Sequence, residues 1–326
     1  MDLQAISQEA KRNYGRAVKD FKQVRRETWH NEIMILKQQF KFVSKIVRKK
    51  KVVYLVKKNQ LTMKNTLMRI FVVVTLSIII WNLISYLSDI SSGGEYSRIN
   101  HFFIAVITTI LSVILIDFAR RIDKISWKQL NLSPIRTNIL SFLVGLILWA
   151  IPALIGLVIC LMVGWVEITV KTDFNHLVLS LLILFITVFL IEALPEEIIF
   201  RGYIYRYLNI WFPHWMTLIL QTLLFSLFGY FIGAIYSLEQ LLFIPGFAFI
   251  LGYFRAVSGN VWTAIGFHVA IMTATQILSR LHDHFDVSGI FTLQFLAFIL
   301  LPSVLSAIAL DFIYPKHNWH KKELYL

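Results

Sequence analysis

Seven uncharged stretches, each about as long as a lipid bilayer's hydrocarbon core is thick, constrain what this chain can become. They cover residues 70–87, 99–116, 139–165, 174–191, 215–235, 257–278 and 290–310. A membrane-spanning helix needs about 20 apolar residues, with a range near 17–25. An eighth run, 241–254, is shorter and contains Pro245, and Pro152 inside the third run is expected to kink it. In lipid the backbone must satisfy its own hydrogen bonds, so runs of this length read as helices. The expected fold is all-α: a polytopic membrane helix bundle of about eight transmembrane helices. Composition agrees, at 57% hydrophobic and 16% charged residues, where a soluble domain carries about a quarter charged. A soluble enzyme is excluded. Cys160 is the single cysteine of 326 residues, which rules out an intramolecular disulfide and a cysteine-based metal site.

The net charge of +13 belongs to one end. Residues 1–69 hold 18 Lys and Arg against 5 Asp and Glu, and the remainder is neutral. Basicity so confined is no sign of a nucleic-acid partner. Within 1–66, Leu3, Ile6, Ala10, Tyr14, Val18 and Phe21 recur at helical spacing among lysines and arginines. A basic amphipathic helical segment beside a membrane span is expected to lie on anionic lipid of the cytoplasmic leaflet, with docking to a protein partner as the alternative. The chain thus divides into that segment (1–66), a transmembrane domain (67–315) and a cytoplasmic tail (316–326). Loop charges put the basic N-terminus and 119–136 inside, and 89–98 and the loop of Glu167, Lys171 and Asp173 outside. Lys316, Lys321 and Lys322 put the C-terminus inside, which takes eight crossings when the short run is counted.

Charge returns abruptly after the fourth run, in EALPEEIIFRGYIYR from Glu192 to Arg206. A carboxylate at the centre of a membrane helix costs about 2.5–3.5 kcal/mol on insertion scales, so three glutamates here ask for a reason. In a helix Glu197 and Arg201 are four apart and can pair, while Glu196 lies about 100° away and points elsewhere. One glutamate held by an arginine beside an unpaired one is a way to keep a carboxylate ready as a base. The plainer alternative is that these charges snorkel at a helix end.

The run from Glu196 to Gly202, EEIIFRG, resembles the EExxxR motif of the CPBP family, intramembrane proteases related to the CAAX prenyl endopeptidase. The family has many bacterial members, some tied to bacteriocin immunity. The approach to His268 from Asn260 resembles the family's third motif, and the likeness spans about 174–275. Two positions depart from the pattern. Gly229 stands where the FxxxH motif beginning at Phe225 has its histidine, and Met272 stands at the asparagine four residues after His268. The resemblance implies a peptidase of a bacterial plasma membrane, acting on a membrane-associated peptide or protein. Glu196 would activate water, Glu197 and Arg201 would orient it, and His268 would bind a metal or polarise the carbonyl.

A divalent metal such as zinc, held by Glu196 and His268, is the cofactor the resemblance admits. Catalytic zinc usually takes three protein ligands, however. A family member that binds without cleaving, as in bacteriocin self-immunity, is the alternative function. Gln221 and Gln276 are expected to join helices by hydrogen bonds. His101, His176, His214, His282 and His284 sit near the ends of runs and are expected at the interface.

Overall fold

The computed structural model describes residues 62–92, 97–132, 135–279, 281–315 and 317–323. Most of the basic N-terminal segment therefore lies outside the described residues. Helices α1 (Met63–Ser92), α2 (Arg98–Ile122), α3 (Ile135–Met162), α4 (Phe174–Trp211), α5 (His214–Phe231), α6 (Leu238–Ser258), α7 (Val261–Ile277) and α8 (Ile290–Ile313) make an all-α bundle. Seven of them are long and apolar enough to cross a membrane, and α7, at 17 residues, is the shorter one. Large apolar side chains such as Phe71, Ile99, Ile135 and Leu242 face outward, while Glu197, Arg201, Gln221 and Arg255 are buried. That inversion is what a lipid-facing bundle with a polar interior requires.

Three boundaries differ from the sequence reading. The run 174–191 does not end at the glutamates. Helix α4 continues through them to Trp211, and residues 195–209 are all buried. Charged residues end a span only when they must reach water, and here protein surrounds them. The doubtful run around Pro245 is the 21-residue α6, with the proline inside the helix. The run 257–278 is cut near its start, because Gly259 takes φ 67° to end α6 and the Asn260 side chain caps α7 by accepting from Trp262 N–H. One feature had no sequence signal: a two-stranded antiparallel ribbon of β1 (Glu167–Val170) and β2 (Phe285–Ser288), with Glu167 opposite Ser288.

Helix α7 is the hub, packed by α3, α4, α6 and α8. Its contact with α3 depends on two glycines. A Cβ on Gly145 would strike the Thr263 carbonyl oxygen, and one on Gly266 would strike the Phe142 carbonyl oxygen. Bare backbones let the helices approach closely, which in lipid supplies much of the packing energy. Trp149 Nε1 adds a bond to Phe298 O at 2.9 Å, and Ser306 donates to Leu148 O, so α8 is tied to α3 as well.

The far half of α4 is fastened by two charged clusters. Asp123, after α2, accepts from the hydroxyls of Tyr203 and Tyr207 and from Arg69 of α1. Glu323, in the segment after α8, reaches Arg255 at 2.8 Å, Arg206 at 3.4 Å and Asn131 at 3.0 Å. Burial alone would raise the Glu323 carboxyl, but the guanidinium of Arg255, with Arg206 behind it, holds it below the usual carboxylate range.

Two outcomes follow from this packing. Gly266→Ala should destabilise the protein by about 1–3 kcal/mol, the usual cost of overpacking. Gly246→Ala, where an added Cβ meets nothing within 4 Å, should be close to neutral. Equal thermal unfolding of the two variants in detergent would contradict the close α3–α7 crossing. Glu323→Gln should cost about 2–3 kcal/mol at neutral pH, somewhat less than removing one partner of a fully buried pair, because this side chain keeps 18% exposure. A depressed folded value means the contribution is complete above the ordinary 4.5 and is lost as pH falls through the folded value. The stability gap between wild type and Glu323→Gln should therefore close in acid, and a gap that widens would refute the clamp.

Candidate active site

Glu196 and Glu197 lie in a four-residue α-helical turn, Leu194–Glu197, between two π-helical segments, Phe189–Ala193 and Ile198–Ile204. Pro195 supplies the cause. It has no N–H to give the preceding turn, and its ring crowds the carbonyl four residues back. Widening the helix relieves that crowding, and Leu194 N–H bonds Phe189 O, five residues back. The same device recurs before Pro302 in α8, where residues 293–300 are π-helical. Such bulges often sit at functional sites because they re-aim neighbouring side chains.

Glu197 is wholly buried and is the centre of the polar network. Its Oε1 accepts from Arg201 Nη1 at 3.0 Å and meets His268 Nδ1 at 3.0 Å. Arg201, also without exposed surface, spends a second nitrogen on Ala248 O of α6 at 3.0 Å and lies 4.5 Å over the Phe225 ring of α5. Gln221 Nε2 donates to the same Ala248 carbonyl. Arg255 bonds the Arg201 carbonyl at 3.0 Å, which links this network to the Glu323 clamp. With Arg201 making Glu197 a carboxylate acceptor, His268 donates from Nδ1. That leaves its Nε2 lone pair without a bond among the described residues.

Glu196 behaves differently. It is 8% exposed and makes no hydrogen bond among the described residues. Together with His268, Phe225, Gly229 and Met272 it lines a cavity of about 360 Å³. The structure thus brings Glu196, Glu197, Arg201 and His268 together, but with a changed division of labour. No hydrogen bond joins Glu196 to Glu197 or Arg201; Glu197, paired with Arg201, holds His268 instead. Gln276 and Gln221 do join helices, Gln276 through Nε2 to Glu192 Oε1 at 2.8 Å. Glu192 also lines the cavity, a place the sequence could suggest only through its four-residue spacing from Glu196.

The donor set does not fit a catalytic metal. Gly229 and Met272 offer no oxygen or nitrogen, and no group of three or more His, Cys, Asp or Glu among the described residues is arranged to hold an ion. Beside Gly229 the space belongs to Ile244, whose Cγ2 would lie 3.4 Å from an added Cβ. His214 and His284, expected at the interface, are largely buried. His214 bonds the Tyr205 hydroxyl at 2.8 Å and His284 the Thr172 hydroxyl at 2.9 Å.

Residues 178–274 match the family model described as type II CAAX prenyl endopeptidase Rce1-like. No curated protein and no solved structure matches the chain. The matched stretch runs from within α4 to within α7 and contains Glu192, Glu196, Glu197, Arg201 and His268. Through this stretch, which builds most of the cavity, the chain is similar to that family.

Proposed function

We propose that this protein is a CAAX-type intramembrane endopeptidase that hydrolyses a peptide bond of a membrane-associated peptide or protein. The observation that supports it most is the contrast between two adjacent glutamates. Glu197 is fixed by Arg201 and His268, while Glu196 has no bond and faces the same cavity as His268. Glu196 is then the base. It takes a proton from a water whose oxygen bonds to the scissile carbonyl carbon, and the carbonyl oxygen becomes an oxyanion. As the C–N bond breaks, that proton passes to the leaving amine. Before water attacks, His268 takes up a second proton from solvent at Nε2. That N–H then donates to the oxyanion, and Glu197 stabilises the imidazolium; the proton stays on His268 when the carbonyl re-forms and returns to solvent afterwards. The reading includes a bacterial plasma membrane, both termini in the cytoplasm and the basic N-terminal segment on anionic lipid.

A second reading rests on Gly229 and Met272. Both wall the cavity where the family pattern has groups that hold substrate or charge, and Ile244 fills the space at the first. A protein of this fold that binds a membrane peptide without cutting it, as in bacteriocin self-immunity, would have that apolar wall.

The two readings part on Glu196→Gln. Purified wild-type protein offered a fluorogenic prenylated CAAX peptide should cleave it, and Glu196→Gln should lower the rate by about 10²–10⁴-fold, the usual contribution of a positioned base. His268→Ala should lose a similar factor, and Glu197→Gln less. Cleavage that survives Glu196→Gln at matched folding rules out this base. A wild-type protein that binds the peptide and leaves it intact favours the non-cleaving reading.

A further inference from the structure

Of the three glutamates on two successive turns of α4, only Glu197 has a cation among the described residues. Glu192 Oε1 accepts from Gln276, and its Oε2 is buried without a partner. Glu196, more than nine-tenths buried, has no hydrogen bond among the described residues. Both line the 360 Å³ cavity, and no lysine or arginine among the described residues lines it with them. The Arg201 guanidinium is committed to Glu197, the Ala248 carbonyl and the Phe225 ring. The opposing walls are aromatic: Trp81, Phe225, Phe228, Phe243 and Phe247.

We propose that this cavity recognises a positively charged group, a lysine ammonium or arginine guanidinium of the membrane-associated peptide, with Glu192 as its counter-ion. The proposal rests on the reading that the cavity receives a peptide, and it names the substrate class. A carboxylate removed from water without a counter-charge is costly, so a ligand that brings the charge gains what the protein itself withholds. Aromatic faces add attraction for a cation once water is excluded. Gln276 fixes one oxygen of Glu192, and the other has no hydrogen bond among the described residues. Glu196 stays available for chemistry close by. The same charge disfavours an acidic side chain or a free peptide carboxylate in this part of the cavity.

The test uses full-length protein in non-ionic detergent and three lipid-anchored, dye-labelled peptides with blocked termini. They differ at one position: lysine, acetyl-lysine or norleucine. Anisotropy titration, with empty micelles as the blank, reads binding. The lysine peptide should bind wild type about tenfold more tightly than either neutral one, the scale of one desolvated charge contact. Glu192→Gln should bring the three affinities together while leaving the neutral peptides bound as before, which also reports an intact cavity. Equal affinities in wild type, no binding of the lysine peptide, or a lysine preference that survives Glu192→Gln would each overturn the proposal. Hydrolysis is scored separately. Cleavage without charge preference overturns this inference and leaves the peptidase reading, whereas a lysine preference without cleavage does the reverse.

Discussion

A carboxylate with no exposed surface cannot keep its charge in a membrane protein unless something answers it, and Glu197 is answered by both Arg201 and His268. That shared oxygen is the interaction on which the interior depends. Arg201 carries the connection onward to α6 through the Ala248 carbonyl and to α5 through the Phe225 ring. His268 carries it to α7, where Phe247 of α6 meets its ring edge to face at 4.8 Å. Four helices are therefore held in register by one ion pair and the imidazole beside it. Breaking one partner would leave an uncompensated charge where no water can reach it.

The backbone is arranged to serve this network. Pro195 and the π-helical segments around it set adjacent glutamates to different tasks, one in the network and one in the cavity. The paired glycines Gly145 and Gly266 bring α7 against α3, two residues before His268. On the other side, Arg255 joins the Arg201 carbonyl to Glu323. The site is thus supported from three directions.

How much of this the sequence disclosed depended on whether a signal was local. Apolar runs of spanning length gave the helices, because in lipid length and apolarity are the physical requirement. Glu197 and Arg201 were legible as a pair because four-residue spacing puts them on one face. The continuation of α4 to Trp211 was not legible, since charges after an apolar run usually mark the return to water, and only tertiary contacts show that protein covers them. The partner of His268 lies 71 residues away, so no spacing could have said that it holds Glu197 and leaves Glu196 free. Glu323, near the end of a lysine-bearing tail, carries no local sign that it is buried. Its partners Arg206 and Arg255 lie 117 and 68 residues distant.

The central claim is that Glu197, not Glu196, orients His268 and leaves Nε2 open toward the cavity. Nitrogen NMR of protein labelled at histidine, with His268 assigned by comparison with His268→Gln, reads which ring nitrogen carries the proton. The account predicts the Nδ1–H tautomer in wild type, with an unprotonated Nε2. It also predicts that Glu197→Gln disturbs this state while Glu196→Gln leaves it alone. An Nε2–H tautomer in wild type, or a His268 signal that responds to Glu196→Gln and ignores Glu197→Gln, would contradict it.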